Sequence, residues 1–167
     1  IRLTQPQEVQ GDLVQLGSKD FIVFKVPKKI IYAIEAVLDI ALNSGPEPVR
    51  NESIAKRQGI PKRYLEQTLQ NLVKNRILVA SRGPKGGYRL AKERRKIKIS
   101  DIILSITKNE TQQDYYKSNL SINVIKPLLG KLNENCFQHL NQISIEDIFK
   151  KIKSKKNKDK ENLDFVI

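Results

Sequence analysis

Two short stretches concentrate the side chains able to grip phosphate and read base edges. The first is Lys62-Arg63-Tyr64 with Glu66 and Gln67; the second is Arg82-Gly83-Pro84-Lys85-Gly86-Gly87-Tyr88-Arg89. Guanidinium and amide groups can pair with base edges, a carboxylate can accept from cytosine N4, and ammonium groups neutralise phosphate. The surrounding charge fits that chemistry. From Lys62 to Lys98 twelve basic residues are opposed only by Glu66 and Glu93, a net +10. From Lys150 to Glu161 seven Lys are opposed by Asp159 and Glu161, so the two segments carry the whole excess of a chain whose net charge is +13. A lone Lys run is most simply a solvated face. A run of +10 inside a folded segment repels itself unless a polyanion lies against it, which makes phosphate contact the better reading.

Other chemistries find little to build on. The chain has 167 residues with one Cys and one His, which excludes a disulfide framework, a four-Cys zinc or iron–sulfur centre and a multi-His metal site. No acidic cluster accompanies them, so we expect no enzyme, no metal and no cofactor. No apolar run approaches a membrane span, and residues 1–20 lack the features of a secretory signal, so a cytoplasmic protein without membrane contact is expected. The chain contains no Met, which we read as a processed or partial chain.

The elements that must position the two stretches follow from periodicity. Residues 1–24 form an N-terminal extension in which a short hairpin around Gly17-Ser18-Lys19 is conceivable. Ile30, Ile31, Ile34, Val37, Leu38, Ala41 and Leu42 recur at three and four, predicting a helix that ends before Asn43. A short helix follows with Asn51 as N-cap, stopping at Gly59; Ile60 and Pro61 begin the next, with Leu65, Leu69, Leu72 and Val73 inward. Helix, glycine turn and helix make a helix-turn-helix, whose second helix enters the major groove. Ile77–Ser81 and Tyr88–Leu90 then flank a glycine-rich turn, a two-stranded ribbon whose arginines suit a narrow minor groove and whose glycines permit close backbone approach.

After the ribbon, Ile99, Ile102, Ile103 and Ile106 predict a fourth helix, and 108–119 a polar connector. Ile125, Leu128, Leu129, Leu132, Cys136, Phe137 and Leu140 predict a long helix, with Pro127 in its first turn. We read it as a seam for a second copy, with Cys136 as a buried small hydrophobe and His139 exposed or at the seam. Ser144 and Asp147 resemble a capping box for a last short helix, Ile145 to Ile152, followed by a disordered Lys-rich tail, 153–167. The expected fold is mainly α with a small β-wing: a winged helix-turn-helix over 25–107 plus a long C-terminal dimerisation helix within 120–152.

Three segments, Tyr32–Ala41 (YAIEAVLDIA), Ile54–Leu78 (IAKRQGIPKRYLEQTLQNLVKNRIL) and Ser81–Ala91 (SRGPKGGYRLA), resemble the Rrf-two family of bacterial transcriptional regulators. The likeness spans roughly Lys25 to Ile152. It implies a homodimeric winged-helix repressor or activator on double-stranded DNA, with Tyr64, Glu66, Gln67, Arg82, Gly83, Pro84, Gly86, Gly87 and Tyr88 at DNA-contacting positions. Cluster-binding members carry three cysteines between the fourth helix and the dimer helix. Here 106–124 has none, and Asn123 stands about where the third would be. A small molecule or a partner protein is then the expected effector, unless binding is constitutive. Lys62, Lys85, Arg89 and Lys92 are expected on phosphates, and Arg63, Glu66, Gln67 and Arg82 on bases; Glu66 as a surface partner for Lys62 or Arg63 is an equal reading. The alternatives are an RNA binder, which the low aromatic content of 6% disfavours, or a protein-interaction dimer with nonspecific nucleic-acid affinity.

Overall fold

The computed structural model describes residues 25–108 and 116–164, of which 156–164 as backbone; the hairpin expected within 1–24 lies outside the described residues. Helices α1 (Lys28–Leu42), α2 (Asn51–Gln58) and α3 (Lys62–Lys74) are followed by strands β1 (Leu78–Ser81) and β2 (Gly87–Leu90), then α4 (Ile99–Thr107), α5 (Lys126–Gln142) and α6 (Ile145–Asp164). The strands are antiparallel, with Leu78 opposite Leu90 and Ser81 opposite Gly87. This is the expected mainly helical winged fold.

Helix α1 is the centre of the core. Ala33, Ala36, Val37, Ile40 and Ala41 are buried against Leu65, Leu69 and Leu72 of α3 and Ile99, Ile102 and Ile106 of α4. Each fully buried Leu or Ile contributes about 1.5–3 kcal/mol relative to exposure. The buried face is rotated from the stripe read in the sequence: Ile31 and Leu42 are exposed. Alanines take the inner positions because a small side chain lets neighbouring helices approach closely, a criterion that ranking by hydrophobicity misses.

Two helix starts also differ from expectation. Arg50, in extended conformation, occupies the N-cap of α2, and Asn51 is already helical with its side chain turned to α3. Pro61 is the residue before α3, with its ψ of 128° outside the helical region. Gly59 closes α2 in the left-handed conformation (φ 64°), as its position implies.

The long helix begins at 119 and passes through a π-helical stretch, Ser121–Ile125, before α5. Pro127 lacks an N–H, and the wider turn just before it absorbs the missing bond. The base of this helix is tied to the winged domain by backbone bonds Ile99 N to Ile143 O (3.0 Å) and Ile145 N to Ile97 O (3.0 Å), and by Ser100 Oγ to Asn141 Oδ1 (2.9 Å). Helix α6 starts with the expected box: the Ser144 amide donates to Asp147 Oδ2 (2.9 Å) and the Asp147 amide to Ser144 Oγ (3.2 Å). The Ser144 hydroxyl, donating to Asp147 Oδ2 at 2.6 Å, and after it the Ser144 amide hold the Asp147 carboxyl below its usual range. The helix continues to Asp164, not Ile152, because 145–164 contains neither Gly nor Pro and is rich in helix-favouring Lys. The tail read as disordered is therefore helical over much of its length.

Asp39, with 2% of its surface exposed, locks α1 to the end of α2. It accepts from Arg57 Nε (2.9 Å), Arg57 Nη2 (2.6 Å) and Gln58 Nε2 (2.7 Å). The carboxylate holds the Arg57 guanidinium above its ordinary value. Replacing Asp39 by Ala should lower stability by about 2 kcal/mol in a denaturant titration, since Arg57 is partly exposed and can rehydrate.

Candidate nucleic-acid interface

The helix-turn-helix and the wing converge on one cleft of about 510 Å³. Lys62, Arg82, Gly83, Pro84, Gly86, Gly87 and Tyr88 line it, opposite Arg50, Asn51 and Glu52 at the start of α2. Arg63, Tyr64, Glu66 and Gln67 are exposed on α3, and Lys85 is exposed at the wing tip. Tyr64 keeps 62% of its surface open. The burial of Leu65, Leu69 and Leu72 on the opposite side of α3 is what turns this polar face outward.

The wing is joined to the helix-turn-helix through backbone. Val49 N donates to Tyr88 O (2.9 Å) and Tyr88 N to Val49 O (2.8 Å), so the segment before α2 adds a bridge to β2. Arg50 Nη2 donates to Pro84 O (3.0 Å), and Arg89 donates to the carbonyls of Gly45 (2.8 Å) and Pro46. Arg89, expected on a phosphate, thus has an internal task. The glycines also serve the protein's own backbone: a Cβ on Gly87 would lie 2.6 Å from Val49 O, and one on Gly86 2.5 Å from Ser81 O. Close approach was anticipated at these positions, but toward DNA.

The positive charge divides. Lys62 Nζ pairs with Glu52 Oε1 at 3.0 Å, which raises the Lys62 pKa and lowers that of Glu52. Lys85 faces Glu47 at 3.5 Å. Arg94 stacks over Phe149 at 3.8 Å and binds Glu146 at 2.9 Å, docking α6, while Arg95 and Lys96 pair with Glu93. Lys92 lies with Arg94 and Arg95 in a second groove of about 800 Å³ beside α6, away from the cleft lined by Arg82 and Lys62. Glu66 accepts from Asn51 Nδ2 at 3.3 Å, while Lys62 donates to Glu52 instead. Burial, and secondarily the charge of Glu66, raises the Tyr88 pKa. Arg50 was not singled out in the sequence, and Asn51 and Glu52 were read only as the start of a helix, since their place beside the wing and α3 follows from long-range contacts that no spacing announces.

On the long helix, Ile125, Leu128, Leu129 and Leu132 are exposed in the single chain, together with Leu120, Ile122 and Val124. Phe137 and Leu140 are half-buried, Leu140 against its own core. Cys136 is exposed in the single chain; the burial expected for it belongs to a seam between two copies, which one chain does not form. His139 is exposed.

Residues 26–151 match the family described as Rrf2, iron-dependent transcriptional regulator. The HTH-type transcriptional regulator IscR of Cronobacter sakazakii is 44% identical over 75 residues, which span 45% of this chain and 46% of that protein, so the match spans about half the relative's length. Among solved structures, T. potens IscR superposes with a TM-score of 0.64 at 35% identity, covering 78% of this chain and 89% of that one. CymR of B. subtilis, a global cysteine regulator, gives 0.60 at 23% identity over 75% and 95%, a likeness of fold.

Gly87→Ala should force β2 away from Val49 and lower stability by about 1–3 kcal/mol. Hydrogen exchange at the Val49 and Tyr88 amides should accelerate along with the loss; unchanged protection there would contradict the assigned contact.

Proposed function

Because the chain belongs to the Rrf2 family of transcriptional regulators, we propose that it is a sequence-specific DNA-binding regulator, acting as a homodimer and without an iron–sulfur cluster of its own. One observation supports the DNA reading: the basic wing, bridged through Val49 and Tyr88 to the turn that launches α2, shares a cleft with Lys62 at the start of α3, from which the exposed Arg63, Tyr64, Glu66 and Gln67 continue along the helix. In this reading α3 enters the major groove and the wing tip the adjacent minor groove. Arg63, Glu66, Gln67 and Arg82 read bases, with Tyr64 packed at the same surface. Lys62 and Lys85 contact phosphate and exchange Glu52 and Glu47 for it. Gly83, Pro84, Gly86, Gly87 and Tyr88 shape the wing. Arg89 pins it. Lys92 belongs to the other groove and contributes less.

The family description is iron-dependent, and the donor set here does not fit that group. A cluster takes several thiolates, with or without imidazole. This chain has a single Cys, on an exposed turn of α5, and a single His. Among the described residues no group of three or more His, Cys, Asp or Glu could hold a metal. In this reading binding is either constitutive or regulated by a small molecule or a protein partner. Among the described residues no helix is long and apolar enough to cross a membrane. An apolar stripe from Leu120 to Leu132, left open to water in one chain, supports pairing of two copies through the long helix.

Arg82→Ala should cost about 1–3 kcal/mol on the preferred duplex and relax preference at the base it reads. Fluorescence anisotropy across a salt series checks this. An equal loss on all sequences, with a shallower salt slope, would place Arg82 on phosphate alone. Leu128→Asp should give a chain that sediments as a monomer; a dimer that persists would put the seam elsewhere.

A further inference from the structure

We propose that Asn51 is a positioning residue for base reading: its amide, presented by the first turn of α2, aims the Glu66 carboxylate on α3. The inference rests on the DNA-reading function above and names a residue outside the recognition helix and the wing. Three observations support it. Asn51 Nδ2 donates to Glu66 Oε1 at 3.3 Å. Asn51 Oδ1 is buried without a hydrogen-bond partner among the described residues, so Glu66 is the bonded group that orients the amide. Glu52, the next residue of α2, takes Lys62 at 3.0 Å.

The third point matters because Lys62 and Glu66 stand four apart on α3, where a cation and a carboxylate ordinarily meet. Glu52 takes the hydrogen bond of Lys62, which keeps only a through-space attraction to Glu66, and Asn51 supplies a neutral donor for the direct bond to Glu66. A carboxylate neutralised by Lys would be a poor acceptor for a cytosine amino group. One bonded to an amide keeps its full charge and an open second oxygen, and gives up rotamer freedom before DNA arrives. The start of α2 thereby sorts the two charges on α3: the cation is held toward phosphate, the anion toward bases.

The test is selection from a randomised duplex pool with sequencing of the retained fraction, using the full chain and its variants. Asn51→Asp keeps the shape of the side chain, replaces a donor by an acceptor, and suits the first turn of a helix electrostatically, so folding is not at issue. Asn51→Ala is the second variant, and thermal melts accompany both. Glu66→Ala should erase the preference at one position of each half-site. Asn51→Asp and Asn51→Ala should weaken preference at that same position, on the order of fivefold, with the rest of the motif and the salt slope unchanged. In the Glu66→Ala background neither should add a further loss. An undiminished preference with Asn51→Asp overturns the proposal. So does a loss spread evenly over the motif. A motif untouched by Glu66→Ala shows that Glu66 reads no base and removes the proposal while the helix-and-wing reading stands. A wild-type chain that selects no motif removes both.

Discussion

The paired backbone bonds between Val49 and Tyr88 set the geometry on which the candidate interface depends. They fix the distance between the wing and the turn that launches α2, and α2 in turn presents Asn51 and Glu52 to α3. Two backbone bonds at 2.8 and 2.9 Å hold position more tightly than exposed side-chain pairs could. Gly87 permits the approach, and Arg50 and Arg89 reinforce it from either side. A free hairpin of two four-residue strands would be marginal in water. Bridged to Val49 and packed through Tyr88 and Leu90 on the core, it becomes a fixed part of the winged domain.

The chain spends its positive charge in two ways. Some cations remain at the cleft, held by weak exposed pairs with Glu47 and Glu52 that a phosphate can displace. Others build the protein: Arg57 on Asp39 joins α1 to α2, Arg89 anchors the wing, and Arg94 on Phe149 and Glu146 docks α6. A net charge of +13 is therefore a poor count of the phosphate contacts available. The same docking, with the bonds between 97–99 and 143–145, ties the foot of the long helix to the winged domain. In the proposed dimer that tie sets the spacing of the two recognition helices.

The order of the elements, the glycine turn at 59, the ribbon and the inner stripe of α3 were legible because each follows from local chemistry: periodicity, a left-handed cap, or strand alternation. The tasks of Arg89, Gly86 and Gly87 were not. Their residue types were read as facing a nucleic acid, whereas they meet carbonyls distant in sequence, and composition does not distinguish the two surfaces. Asn51 looked like a cap because Asn favours that position, yet a contact with Glu66 outweighed the local preference. The rotation of α1 came from packing of alanines. The length of α6 was underestimated because the apolar pattern fades after Ile152 while helix propensity does not.

The most direct test is to incubate the purified chain with fragmented genomic DNA at about 0.15 M salt, where exposed charges are screened beyond about 8 Å, and to sequence what is retained. Recovery of one inverted repeat, with half-sites about one helical turn apart, is the predicted result. Retention of fragments without a shared motif would contradict sequence-specific binding and reduce the basic cleft to a nonspecific surface.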